Sequence, residues 1–269
     1  VPDAMLKSFL PAFVASLVLA GCASGPNLSG IDTRLERPVS EMPVQTDARR
    51  KAKVHVELGQ AYFQAGRFGV ALDEARAAAG YDSGYAPAYQ LMGQVHMYLE
   101  ENPVAEASFE HARRLAPGDP EIMNSYGWFL CSTGKERAGL ALLTTAVRNP
   151  YYQTPARALT NIGLCHLRLK DDAAAEPYFI RALEADDTNL PAIYHLASIT
   201  YRRGAYEAAR RYVAALHKLG EPTAESLWLG IRIERRLGDR AAEATLVQQL
   251  RRRFPASPEF QAFQQGQYQ

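Results

Sequence analysis

The three cysteines carry most of the side-chain chemistry available to this 269-residue chain, and each stands in its own setting. Cys22 closes an apolar N-terminal stretch, whereas Cys131 and Cys165 lie 34 residues apart in the body. A thiol can be acylated, ligate a metal or pair with a second thiol, but three cannot build a four-cysteine zinc site or a disulfide-dense scaffold. The six histidines, His55, His96, His111, His166, His195 and His217, are dispersed and form no metal-ligand spacing. His96 reads as a packed ring, and folding could still gather some of the others. No His-Glu-x-x-His, Gly-x-Ser-x-Gly or dinucleotide-type glycine loop occurs. Gly134-Lys135 is followed by Glu136, where a phosphate loop requires a hydroxyl. These residues lead to a non-enzymatic protein with no metal, no cofactor and no small-molecule substrate.

Charge narrows the partners. Lys plus Arg number 30 and Asp plus Glu 29, so the net charge of +1 gives no overall attraction to nucleic acid. The strongest basic run, Arg251-Arg252-Arg253, falls in the last turn of an expected helix, where cations complement the dipole. No apolar run reaches the ~18–20 residues of a transmembrane helix.

The N-terminus reads as an address. Met5-Leu6-Lys7 precedes the apolar stretch Phe9 to Ala20, the form of a secretory signal peptide whose true start is Met5. The stretch ends in Leu19-Ala20-Gly21-Cys22, which resembles the bacterial lipobox. That resemblance implies removal of residues 1–21 and acylation of Cys22; the alternative is an ordinary signal peptide with an unrelated cysteine. Acyl chains contribute ~0.8 kcal/mol per buried methylene and would anchor the chain firmly. Ala23, rather than Asp, implies the periplasmic leaflet of the outer membrane. Residues 22–50 hold Gly25-Pro26, Gly30, Pro38 and Pro43 without helical periodicity and read as a flexible tether.

The elements that must carry the rest are set by repetition. Small residues recur as Gly59, Gly93, Gly127, Gly163 and Ala197, at intervals of 34, 34, 36 and 34. Two further series, Ala71, Ala105, Gly139, Ala175, Ala209 and Ala78, Ala112, Ala146, Ala182, keep the same register. This is the spacing of the tetratricopeptide repeat, an antiparallel helix pair per unit. It predicts an all-α, right-handed superhelical solenoid over residues 51–269. The units are 52–85, 86–119, 120–155, 156–189, 190–223 and 224–257, and 258–269 form a capping helix. Asn102-Pro103 is expected to cap a helix and Pro177 to kink one. The two extra residues of the third unit lengthen the turn around Tyr151-Tyr152-Gln153-Thr154-Pro155. In the sixth unit Ile231 and Glu243 replace small residues.

In tetratricopeptide repeats the first helix of each unit, helix A, lines a concave groove. Carried over, the groove positions are Lys53, Val56, Gln60, Phe63 and Gln64 in the first unit, and Pro87, Gln90, Gln94, Met97 and Tyr98 in the second. The third contributes Glu121, Asn124, Trp128, Cys131 and Ser132, and later units Leu164, Leu167, Tyr194 and Tyr201. Val56, Phe63, Met97, Tyr98 and Trp128 offer apolar contact, and Gln60, Gln90, Gln94 and Asn124 offer amides to a peptide backbone. Trp128 could instead pack inside the solenoid. Cys131 and Cys165 fall on neighbouring A helices, either as a disulfide or as two buried thiols.

A lipobox, a tether and six such repeats resemble the type IV pilus biogenesis lipoproteins, the pilotins of the pilus secretin. Three segments carry the likeness: Arg50 to Gly59, Asn124-Ser125-Tyr126-Gly127-Trp128-Phe129-Leu130-Cys131, and Thr154 to Cys165. The resemblance implies an outer-membrane protein that binds the secretin and promotes its localisation and multimer assembly. A tetratricopeptide lipoprotein serving another envelope machine, in cell-wall synthesis or secretion, is the alternative.

Overall fold

A computed structural model describes residues 35–268 of the chain. The signal segment, Cys22 and the first part of the tether lie outside the described residues. Among the described residues the structure is all helical, with thirteen α-helices and no strand. Six antiparallel pairs follow one another: α1 (Asp47–Gln64) with α2 (Phe68–Tyr81), α3 (Ala86–Tyr98) with α4 (Asn102–Leu115), α5 (Pro120–Ser132) with α6 (Glu136–Arg148), α7 (Pro155–Arg168) with α8 (Asp172–Ala185), α9 (Leu190–Arg202) with α10 (Tyr206–Leu219), and α11 (Ala224–Leu237) with α12 (Arg240–Arg253). The short α13 (Pro258–Gln264) covers the last pair, with Phe260 buried and Tyr268 against Trp228. The expected solenoid fold is therefore what the chain adopts.

Local chemistry sets the helix ends. Thr46, Asp119, Asp171, Asn189, Thr223, Asp239 and Ser257 each accept a bond from a first-turn backbone N–H. Proline stands in the first two positions of α3, α4, α5, α7, α9 and α13, where its missing N–H costs nothing. The cap expected at Asn102 is displaced: Glu101 is the N-cap, without a side-chain bond, and Asn102 is already helical. Helix α8 continues through Pro177, whose absent N–H removes one intrahelical bond to Ala173.

The turn from the first to the second helix of each pair needs one left-handed residue. Gly66, Gly134, Gly204 and Gly238 supply it with φ between 72° and 85°. In the second and fourth pairs Glu100 and Lys170 hold φ of 59°, a conformation disfavoured for side chains larger than hydrogen.

The three small-residue series are the contact lines within and between pairs. A Cβ on Gly93 would sit 2.8 Å from the Phe109 ring, and one on Gly163 2.7 Å from Phe179. The tightest approach is in the third pair, where a Cβ on Gly139 would meet Gly127 O and Cys131 Sγ, each at 2.5 Å. In the sixth pair Ile231 is buried, and the close approach moves one residue to Gly230, against Leu246. Glu243 there turns outward to Arg235 at 2.8 Å.

The tether ends earlier than residue 50. Residues 35–46 lie on the solenoid, with a 3-10 turn at Val39–Glu41, and α1 begins at Asp47. Their docking is by backbone groups and a few side chains, which leave no periodic signal.

Gly139→Ala is expected to destabilise by on the order of 1–3 kcal/mol, because backbone must move. Lys170→Gly is expected to stabilise by up to about 1 kcal/mol by relieving the left-handed turn. Shifts of the urea unfolding midpoint in opposite directions are the check.

Candidate protein-binding groove

Helices α1, α3, α5 and α7 lie side by side in turn, as do α9 and α11. Their facing positions are only partly available to a partner. Val56 is 3% exposed, packed with Ala52, Ala78, Tyr85 and Ala88, and is a core residue rather than a groove contact. Gln90 and Asn124 are buried too. Gln90 Nε2 donates to Glu121 O at 3.0 Å and Ser125 Oγ at 2.8 Å, and Asn124 Oδ1 accepts from Asn161 Nδ2 at 2.9 Å. Gln94 Nε2 also donates to Ser125 Oγ, at 3.2 Å. Adjacent A helices bury these amides, and buried polar groups must pair. The amides therefore hold units together instead of waiting for a peptide backbone; of the four, Gln60 is the exposed one.

Cys131 on α5 and Cys165 on α7 are joined as a disulfide, with Cα atoms 5.5 Å apart and both side chains fully buried. The bond closes a loop with a sequence separation of 34, worth about 3–4 kcal/mol by chain entropy. Met97 and Trp128 pack, half-buried, against the core around it.

One cluster of aromatic rings stands at the first-unit end of the groove. Phe63 near the end of α1, Phe68 opening α2 and Tyr98 closing α3 form an aromatic cluster with ring centroids 4.2–6.0 Å apart. Tyr98 is 63% exposed and Leu99 beside it is also exposed. Phe68 escaped the sequence reading because it lies on the second helix of its pair, outside the A-helix positions. Its turn, led by Arg67, was the only signal.

Further along, Leu167, Tyr194, His195, Ser198 and Arg202 line a cleft between α7 and α9. Burial, with a smaller contribution from the Arg202 charge, pushes the His195 imidazole down to about 4. Its ring stacks on Phe179 with centroids 5.2 Å apart. Three other histidines are held singly by hydrogen bonds, His55 by Glu74 at 2.6 Å, His96 by Glu101 at 2.5 Å and His217 by Ser226 at 2.9 Å, while His111 and His166 stack on Tyr89 and Tyr178. Among the described residues no group of His, Cys, Asp or Glu could hold a metal ion.

Stacked helix pairs in 34-residue register, with A helices side by side, define a tetratricopeptide-repeat protein, and residues 156–189 match the tetratricopeptide repeat family. Over 224 residues the chain is 29% identical to the type IV pilus assembly protein PilF of Pseudomonas aeruginosa, covering 82% of this chain and 89% of that protein. The solved structure of Pseudomonas aeruginosa PilF superposes with a TM-score of 0.73 at 27% identity, covering 82% of this chain and all of that one. PilW, described as a widely conserved type IV pilus biogenesis factor, gives 0.71 at 29% identity, over 79% of this chain and 97% of that one. These relatives bear out the resemblance to type IV pilus biogenesis proteins built of tetratricopeptide repeats.

His195 yields a test of burial. Unfolding returns its ring to the ordinary value near 6.5, so the unfolded chain takes up the proton first as pH falls. The contribution of the neutral ring is complete above about pH 6.5 and is lost toward pH 4, on the order of 2 kcal/mol allowing for partial exposure. His195→Phe is expected to flatten the stability profile across that window, measured by urea unfolding at several pH values.

Proposed function

We propose that this chain serves type IV pilus biogenesis as a non-enzymatic, lipid-anchored protein of the outer membrane, facing the periplasm, that binds the pilus secretin and promotes its localisation and multimer assembly. The observation that carries the reading is likeness to PilF and PilW over nearly the whole length of both. It is supported by the Leu19-Ala20-Gly21-Cys22 motif and by the aromatic cluster in which half-buried Phe63 and Phe68 back the exposed Tyr98. The mechanism requires no bond chemistry. Acyl chains on Cys22 fix the location, and the solenoid captures a segment of the secretin. Tethering then raises the effective concentration of that subunit at the membrane.

The acyl anchor is tested first. Cys22→Ala is expected to leave the outer-membrane fraction or to stay unprocessed, with loss of the acyl mass. Unchanged fractionation, with no acylation mass in the parent, refutes the anchor.

The aromatic face is tested by truncation. Loss of an aromatic anchor typically costs ~2 kcal/mol or more, roughly 30-fold in affinity. Phe63→Ala and Tyr98→Ala should therefore deplete secretin multimers while helicity and membrane fractionation hold. Arg76→Ala, on the exposed side of α2, should leave them at parental levels. Normal multimers in the groove variants, together with co-purification of a cell-wall synthase or another secretion component, would move the protein to a different envelope machine.

A further inference from the structure

The third unit departs from the 34-residue period by two residues, and the structure shows what the longer turn holds. Asn149, buried at the end of α6, donates from Nδ2 to Glu36 O at 2.8 Å and to Gly118 O at 3.2 Å. Its Oδ1 accepts from Tyr151 N at 2.9 Å, which shapes the turn. The Arg37 guanidinium lies 4.9 Å from the centre of the Tyr151 ring, and Gln153 Nε2 donates to Glu41 Oε2 at 3.1 Å. One turn earlier, Glu36 N donates to Gly118 O at 3.3 Å and Val39 N to Asp119 Oδ2 at 2.7 Å. Asp119 also accepts from the first backbone N–H groups of α5. The Val39 side chain packs against the core clusters that hold Tyr85 and Ile122.

Residues 36–41 are thus bound at sequence separations of 80 to 113 and run back from α1 across the second and third units. The described chain therefore begins beside Asn149, in the middle of the solenoid, rather than at the end where α1 stands. Cys22 lies 13 residues before Leu35, a reach of at most ~45 Å extended and ~20 Å as a coil. An anchor on Cys22 therefore holds this edge, formed by the turns from each second helix to the next A helix, close to lipid. The same edge presents exposed Tyr81 and Leu115 at the ends of α2 and α4, exposed Tyr151 in the long turn, and Arg114 and Arg148 in the last turns. Tyrosine, leucine and arginine together suit the headgroup level of a bilayer. Asp186 and Asp187 in the next turn bound the patch.

We infer that residues 35–46 are a docked strap which sets the solenoid on the membrane with this turn edge, from the first to the third unit, against anionic phospholipid. The inference rests on the reading of Cys22 as the acylated residue. It places the aromatic cluster of Phe63, Phe68 and Tyr98 on the opposite edge, away from the bilayer.

The test uses the acylated protein in vesicles of phosphatidylethanolamine with one quarter phosphatidylglycerol. A fluorophore is attached at Leu115→Cys or, on the other edge, at Arg137→Cys, and quenching by spin-labelled lipid is read. Several-fold stronger quenching at position 115 is expected. Val39→Pro removes the N–H that binds Asp119, and the extended backbone of Pro38 accepts a following proline. Combined with Asn149→Ala, it should erase the difference while the protein still floats with the vesicles. Equal quenching at both edges overturns the orientation, and a difference that survives release of the strap overturns the strap's part in setting it; neither result touches the reading of Cys22. Absence of acyl mass and of flotation overturns the reading of Cys22, and the orientation with it.

Discussion

How closely two antiparallel helices can approach decides everything else in this chain. Side chains of ordinary size at the crossing would push α3 from α4, or α7 from α8, and each unit would lose the face it offers its neighbour. Gly93 and Gly163 remove the obstruction, and the rings of Phe109 and Phe179 occupy the space, both fully buried. Such interlocking is worth more than its area, since a void or an extra methyl forfeits contacts on both helices. In the third pair the approach is backbone to backbone, Gly127 against Gly139, and the Cys131–Cys165 bond ties that pair to the next A helix. The middle of the solenoid thus carries both the closest helix crossing and the disulfide, and the strap docks there.

Stability spreads from unit to unit by contacts of the same register. Lys135 pairs with Glu106, Arg168 with Glu136 at 4.0 Å, Arg202 with Asp172 at 2.7 Å and Arg203 with Glu176 at 2.7 Å, each bridging successive units on the surface. Exposed pairs contribute little singly. The buried amides matter more. Gln90 and Asn124 each reach the next A helix, and removing one partner would strand the other in the interior. A repeat array sums such nearest-neighbour interactions, and its histidines, spread over separate units, form no metal-holding group among the described residues.

The same logic separates what could be read from the sequence from what could not. Helix pairs were legible because small residues recur at one interval and nothing else produces that pattern. The groove was less legible. Position within a repeat says which way Gln90 and Asn124 point, but their burial depends on how near the neighbouring A helix comes. Val56 follows the same rule: its groove position is filled by Tyr85 and Ala88 of the next unit. Glu100 and Lys170 stand where other units have glycine, and no sequence pattern announces a left-handed glutamate or lysine. The strap was invisible for a different reason. Its bonds run from backbone N–H and C=O groups to Gly118, Asp119 and Asn149, and backbone groups are the same in every sequence. Only the two-residue lengthening of the third unit marked the place.

The two edges of the repeat stack carry different chemistry, and their separation has a mechanical consequence. One edge holds the strap, Tyr151 and the basic ends of α4 and α6. The other holds the left-handed turns and the aromatic cluster around Tyr98. Between them runs the length of an A helix, 13 residues in α3, or about 20 Å. A tether entering at the end of α1 would let the solenoid pivot about its tip and point either edge at the bilayer. On the proposed anchoring through Cys22, a strap clamped at Asn149 and Asp119 would remove that freedom before any partner arrives. An aromatic face held outward at a set height would then meet a partner without first losing orientational entropy, and such pre-organisation strengthens binding without adding a contact.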